Sequence, residues 1–427
     1  MRSMKMEKRW MFPLVISSLV SVFLLATSLD LGFISSKHTI SSVFSIFPSR
    51  VMTNQTISFF GEVKVQQVPS PSPPAPPPPT PPPRPPRFAY FISGANGDLV
   101  KLWRTLKALY HPWNYYVIHL DLKSTVKERL ELASRVAKEP VFAKIGNVHM
   151  ITKANVVTYR GPTMVSNTLH AASILLKKYE HWDWFINLSA SDYPLLTQDD
   201  LIYTFSQLKR DFNFIEHTSR LRWKEWKRAM PLIIDPGLYQ NNKSEIFWVA
   251  PGRALPTAFK LFTGSAWMVL SHAFVEYCVW GWDNLPRTLL MYYSNFVSSP
   301  EGYFHTVACN APEFSSTVLN NDLHYIAWDV PPRQHPHILS VNDIGEMVAS
   351  GAAFARKFNK DDPVLDRIDQ EFLHRVNGSF TSGGWCSGNP PCSIVGNPQK
   401  LRPGPGAQRL RSLINRLVGA ASQNQCK

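Results

Sequence analysis

The chain has 427 residues, of which 44% are hydrophobic and 12% aromatic, enough for a sizeable core; wholesale disorder and a small single module are excluded. Its formal net charge of +14 is concentrated at the ends: Gln399 to Lys427 carries Lys400, Arg402, Arg409, Arg411, Arg416 and Lys427 without an acid, and Arg2, Lys5, Lys8 and Arg9 stand against Glu7. A solvated tail and a membrane-proximal flank account for such ends without a nucleic-acid partner, and 5 cysteines are too few for a disulfide scaffold.

In chain order, residues 1–9 read as a cytosolic tail. Trp10–Leu29 is an uncharged run long enough to cross a hydrocarbon core of about 30 Å as a helix. Basic residues before it and Asp30 after it predict a signal anchor with everything downstream lumenal. A cleaved signal peptide is the competing reading, disfavoured by the length of the run. Residues 30–87 form a stem containing Pro69–Pro86, where 13 of 18 positions are proline; as polyproline II this would be a stiff spacer of about 55 Å. A ligand for a proline-recognition domain and a hydroxyproline-rich glycosylated stalk remain open for the same segment. Sequons at Asn54, Asn242 and Asn377 are candidate glycosylation sites, whereas Asn187 falls in a buried strand and should stay bare.

From Phe88 onward the pattern changes. FAYFIS (88–93) predicts a buried strand, and GDLVKLWRTLKALY (97–110) has apolar residues at helical spacing. There follow a strand NYYVIHL, a helix STVKERLELASRVAKEP capped by Ser124, a strand NVHMIT, a helix PTMVSNTLHAASILLKK, a strand DWFINL, a helix DDLIYTFSQL and a strand NFIEH. This alternation implies βαβ units, a mostly parallel sheet, and a ligand crevice at the strands' carboxyl ends. HLD (119–121) and LSASDYP (188–194) each place an Asp there, although such an Asp alone is usually a turn former or cap. SGANGD matches neither GxGxxG nor a P-loop, so neither a dinucleotide enzyme nor a P-loop NTPase is indicated.

Four ordered motifs carry a resemblance: FAYFISGANGDLVKLWRTLKALYHPWNYYVIHLDLKS, HWDWFINLSASDYPLLT, SSPEGYFHTVACN and FARKF. Together they resemble glycosyltransferase family 14, which includes the core-2 and I-branching N-acetylglucosaminyltransferases, peptide O-xylosyltransferases and plant β-glucuronosyltransferases. The match runs from about Phe88 to about Arg375. The proline-rich stem and PPRQHPHILSVND are closest in style to the plant enzymes that act on arabinogalactan. The resemblance implies an α/β fold of the GT-A type over 88–427, a Golgi type II membrane enzyme, and inverting transfer of glucuronic acid from UDP-glucuronate to β-linked galactan. Transfer of N-acetylglucosamine, xylose or galactose stays open, as does a non-catalytic lumenal carbohydrate-binding role.

Inverting transfer needs a base for the acceptor hydroxyl and positive charge for the leaving diphosphate. The resemblance places Glu301 as the base, Arg356 and Lys357 at the diphosphate, and Asp121 at the donor. It places Glu216, Lys224 and Lys227 with Trp328 at the acceptor, Trp267 being a weaker candidate. The chain has no D-x-D triplet, the paired acid commonly used to hold a divalent ion on the diphosphate, so no metal cofactor is expected. A second phosphate cation, which the branching enzymes have, falls on Arg333 or Gln334 by direct count and on Leu339 when aligned on Ser340 and Val341, leaving Arg333 or Arg356 for the role. Cys386 and Cys392 are close enough to close a loop in an oxidising lumen; the pairing of Cys278, Cys309 and Cys426 is open, with at least one thiol left over.

Overall fold

The computed structural model describes residues 84–239, 245–331, 333–376, 378–387, 392–424 and 426, within one compact unit, Pro79–Lys427. The expected anchor, the spacer up to residue 83 and all three candidate glycosylation sites lie outside the described residues. No helix among the described residues is long and apolar enough to cross a membrane.

The first half alternates as the sequence predicts: β1 (Phe88–Gly94), α1 (Leu99–Leu109), β2 (Tyr115–Leu120), α2 (Val126–Lys138), α3 (Pro140–Ile145), β3 (Val148–Met150), α4 (Thr163–Lys178), β4 (Trp184–Ser189), β5 (Asp192–Pro194) and α5 (Gln198–Phe205). Short strands and helices follow: β6 (Asn213–Phe214), β7 (His217–Thr218), β8 (Leu232–Ile234), β9 (Phe247–Val249), β10 (Thr263–Gly264), β11 (Val269–Ser271), α6 (His272–Trp280), α7 (Leu285–Tyr293) and α8 (Tyr303–Asn310). The chain then runs through β12 (Val318–Leu319), β13 (His324–Ile326), β14 (Phe354–Arg356), α9 (Pro363–Glu371) and α10 (Pro405–Asn424).

Seven strands form the main sheet in the order β12-β6-β11-β4-β1-β2-β3. It is mostly parallel: β1 runs parallel to β2 and β4, β2 to β3, and β6 to β12, while β11 is antiparallel to both its neighbours. Both faces are covered, which explains why β1 reads as an unbroken apolar run. Phe88, Tyr90 and Ile92 pack on one side with Leu102 and Leu106 of α1, Leu201 of α5 and Leu410 of α10; Ala89 and Phe91 pack on the other with Leu175 of α4, Phe274 of α6 and Tyr303 of α8. A second sheet, β13-β14-β5, joins the crevice end of the fold through the ladder pair Arg356 and Asp192.

Three local expectations are corrected. The helix after β2 is capped by Thr125, not Ser124: the Thr125 hydroxyl accepts the Glu128 amide and the Glu128 carboxylate accepts the Thr125 amide, both at 3.1 Å. From Ser124 the reciprocal position would be Lys127, which has no acceptor. The same helix ends at Lys138, because Pro140 lacks an amide hydrogen and instead opens α3. NFIEH is not one strand but two, β6 in the main sheet and β7 against β10, with Glu216 in the bend between them. Gly264 makes that pairing possible, since a Cβ there would fall 1.7 Å from the Glu216 carbonyl oxygen.

Asn187 is buried in β4, its side chain donating to Ala266 O at 2.9 Å and accepting the Met268 amide at 3.0 Å, so its sequon is closed to modification as expected. Cys386 and Cys392 are joined, and Cys309 of α8 is joined to Cys426, 117 residues away; Cys278 is the buried free thiol.

Candidate active site

The site lies where the loop after β3, the segment after β7 and the turn before α8 converge. Glu301 ends a short turn that begins at Ser299, and Gly302 opens α8 directly after it. The turn is zipped to the loop after β3 by the Ser298 amide, which donates to Arg160 O at 2.9 Å. In the same loop Tyr159 donates its hydroxyl hydrogen to Glu301 Oε1 at 2.9 Å. The second carboxylate oxygen, Oε2, receives two cations, Lys224 at 3.4 Å and Arg228 in closer contact. Lys224 also donates to Thr263 Oγ1 at 3.1 Å.

Burial, as the largest influence, lowers the Lys224 ammonium's pKa, with the charge of Glu301 pulling the other way. Desolvation at its hydroxyl end and then the Glu301 charge push the Tyr159 phenol well above its ordinary range, although the residue as a whole stays part-exposed, so it remains a proton donor in its hydrogen bond. Glu216 faces this cluster; desolvation and the charge of Asp322 hold its carboxyl above the usual range, against the pull of Lys224. Beneath them His305, one helical turn past Glu301, is fully buried and held down to about 3 by that burial, so its ring is neutral and its Nε2 meets Ser265 O at 2.7 Å.

Asp121 stands at the carboxyl end of β2 as the sequence suggests. Its oxygens accept the amides of Lys123 and Val157, each at 2.7 Å, so this carboxylate anchors the loop that delivers Tyr159. On the second sheet, Arg356 Nε lies 3.0 Å from Asp192 Oδ1, and the Arg356 guanidinium covers the ring of buried Trp267 at 4.2 Å. Trp267 is therefore a floor for Arg356, not an open stacking face. Lys357 is half-buried beside it, with no ionic partner for its side chain among the described residues.

The other candidates separate. Lys227 is exposed and does not reach Glu301; Arg228, one position on and four beyond Lys224, does so instead, because the Glu225–Ala229 turn is a wide π-type helix that brings Lys224 and Arg228 to one side. Trp328, just past β13, is 53% exposed and has no hydrogen bond or ring contact with the Glu301 cluster among the described residues. Arg333 is exposed and paired with Asp329 at 3.4 Å, whereas Leu339 is buried and donates its amide to Lys357 O. Of the two residues left for a second phosphate cation, Arg356 alone sits beside Lys357. Tyr159 and Arg228 were missed by the sequence, and Asp192, marked there as a crevice Asp in LSASDYP, was given no partner; of the two missed, only Arg228 had a signal, its i, i+4 spacing from Lys224. His217, Cys309 and Cys426 form a cluster of metal-type donors among the described residues, but its two sulfurs are bonded to each other.

A model of the core-2/I-branching enzymes matches residues 88–348. The chain is 55% identical over 433 residues to beta-glucuronosyltransferase GlcAT14A of Arabidopsis thaliana, spanning 99% of this chain and 93% of that protein. GlcAT14B of the same plant is 54% identical, over 99% and 96%. Xylosyltransferase 1 of Canis lupus familiaris is 28% identical across 68% of this chain and 30% of its own. Among solved structures, mouse xyloside xylosyltransferase 1 matches 54% of this chain and 84% of its own at 14% identity and a TM-score of 0.29, too distant to inform the fold. The protein is thus one of the sugar-transferring enzymes. It belongs to the core-2/I-branching family.

Proposed function

We propose that this protein is an inverting glycosyltransferase that moves glucuronic acid from UDP-glucuronate to β-linked galactan of arabinogalactan proteins. The observation that carries the reading is the state of the Glu301 carboxylate: Oε2 is occupied by Lys224 and Arg228, while Oε1 has one phenolic partner and a lone pair to spare. The acceptor hydroxyl gives its proton to Oε1 as its oxygen bonds to the anomeric carbon, and the bond from that carbon to the β-phosphate oxygen breaks. UDP departs carrying the negative charge, met by Lys357 with Arg356 beside it. Asp121 holds the loop at the donor side, and Glu216 and Lys224 hydrogen bond the acceptor's hydroxyls, with Trp328 offering an outer face. A single displacement on an α-linked UDP-sugar leaves a β product. The likeness to the two Arabidopsis glucuronosyltransferases supports the donor, and the lack of a D-x-D triplet supports transfer without a metal.

The purified protein given a panel of UDP-sugars and a β-galactan acceptor should consume UDP-glucuronate fastest and yield a β-linked product. Preference for UDP-N-acetylglucosamine, UDP-xylose or UDP-galactose would overturn the donor. The apolar run and its basic flank support a Golgi type II topology. In sealed vesicles the domain from Phe88 onward should resist protease added outside, and its digestion would sink that topology.

A further inference from the structure

Two solvent-exposed aromatic rings flank Glu301, one bonded to its carboxylate and one set against the cation that binds it. Tyr159, whose hydroxyl is bonded to Oε1, is 41% exposed. Trp223 is 50% exposed and lies 5.3 Å from the guanidinium carbon of Arg228, which is itself bound to Oε2. Exposed aromatics scattered singly are ordinary on a protein surface. These two differ because each is tied through one contact or two to the same carboxylate, which fixes both rings at the rim of one reactive centre.

The chemistry around the rings selects what covers them. A lipid surface or an apolar peptide seated there would bury Glu301, Lys224 and Arg228 without water, a costly desolvation of three charges. A pyranose ring presents an apolar C–H face with a rim of hydroxyls; the face suits the aromatic rings and the rim suits the ions between them. Oε2 is taken by two cations, so the reacting hydroxyl meets Oε1 and its sugar lies on the Tyr159 side. Trp223, on the Oε2 side, is then left for another sugar of the same chain.

We propose that Tyr159 and Trp223 are stacking faces of an acceptor site that holds at least two consecutive pyranose rings of a neutral glycan, with the reacting ring on Tyr159 and its neighbour on Trp223. This rests on Glu301 as the base.

The test measures initial rates of the full-length protein with UDP-glucuronate and β-linked galacto-oligosaccharides of one to five sugars. The wild-type acceptor KM should drop when the second sugar is added. Trp223→Ala should erase that drop, raising KM about tenfold for two or more sugars, the order expected for losing one apolar stacking face. The single-sugar acceptor and the KM for donor should not change, and Trp223→Phe should keep the length dependence. Trp280→Ala, at an exposed Trp on α6, is the control and should behave as wild type. An equal loss with one-sugar and longer acceptors, or no loss with any, overturns the proposal. Glu301→Gln separates the two ideas: if it turns over normally while Trp223→Ala still flattens the length series, the base assignment falls and the stacking site stands.

Discussion

Arg356 and Asp192 face each other across the ladder of β14 and β5, with Nε 3.0 Å from Oδ1, and Asp192 is fully buried. The pair divides the labour of two adjacent cations. Arg356 neutralises a carboxylate that is buried and is clamped over Trp267, whereas the Lys357 side chain is left to meet a ligand.

The first prediction follows from that division. Arg356→Ala leaves a buried carboxylate without its partner and should cost about 3 to 5 kcal/mol of stability, read as a large fall in melting temperature. Lys357→Ala should leave the melting temperature nearly unchanged yet weaken UDP binding by about 1.5 to 3 kcal/mol, the worth of a charged hydrogen bond to phosphate. Equal thermal effects of the two variants would show that the roles are not divided in this way.

A second prediction concerns the metal. With Lys357 supplying positive charge at the diphosphate, transfer should continue in excess EDTA. Loss of activity on chelation that manganese restores would refute metal-independent transfer.

The third concerns Glu301 itself. Glu301→Gln keeps the volume of the side chain but not its basicity, and general-base catalysis is commonly worth about 10² to 10⁴ in rate. Turnover should fall by that order with UDP affinity retained. Near wild-type turnover in a folded variant would move the base elsewhere.

The Gly302 position sets the approach of Glu301. A Cβ on Gly302 would come within 2.6 Å of Tyr293 Cε1, and Tyr293 is fully buried with its hydroxyl 2.6 Å from Thr306 Oγ1, so it cannot yield freely. Gly302→Ala should therefore cost about 1 to 3 kcal/mol by overpacking and displace the turn that carries Glu301, lowering kcat more than the stability loss alone accounts for. Unchanged kcat and melting temperature would show that the turn tolerates the clash.

How far the sequence reveals this molecule depends on how local each feature is. β1, α1, β2, α4 and β4 were legible because a sheet covered on both faces makes unbroken apolar strands, and the helices between them carry 3.6-residue periodicity. The split of Phe214 from His217 was not, since it depends on β10 approaching over Gly264 from nearly fifty residues away. The same holds for the site. Glu301 is found through its motif, but Tyr159, its partner 142 residues away, sits in TYRGPT with no local pattern to mark it. The Cys309–Cys426 bond spans 117 residues, and spacing alone could not choose it over a pairing with Cys278.

The last prediction is a pH dependence of stability. His119 and His305 are fully buried, and burial above all lowers them to about 4 and about 3, with the charges of nearby His170 and Arg129 for the first and His217 for the second acting in the same sense. In the unfolded chain each takes up a proton near about pH 6.5. Because the unfolded state binds the protons that the folded state refuses, the stability from keeping both rings neutral is whole above about pH 6.5 and is lost as the pH falls toward 4. Each histidine should contribute a slope of about 1.4 kcal/mol per pH unit within that window. The unfolding free energy, measured by urea titration between pH 7 and pH 5, should fall on acidification, these two histidines together contributing up to twice that slope and His111, His149 and His272, also lowered by burial, adding in the same sense. His305→Gln, whose amide nitrogen takes the place of Nε2 at Ser265 O but cannot titrate, should lower the slope by about 1.4 kcal/mol per pH unit whatever its effect on absolute stability. An unchanged slope in that variant would mean that His305 does not stay neutral in the folded protein.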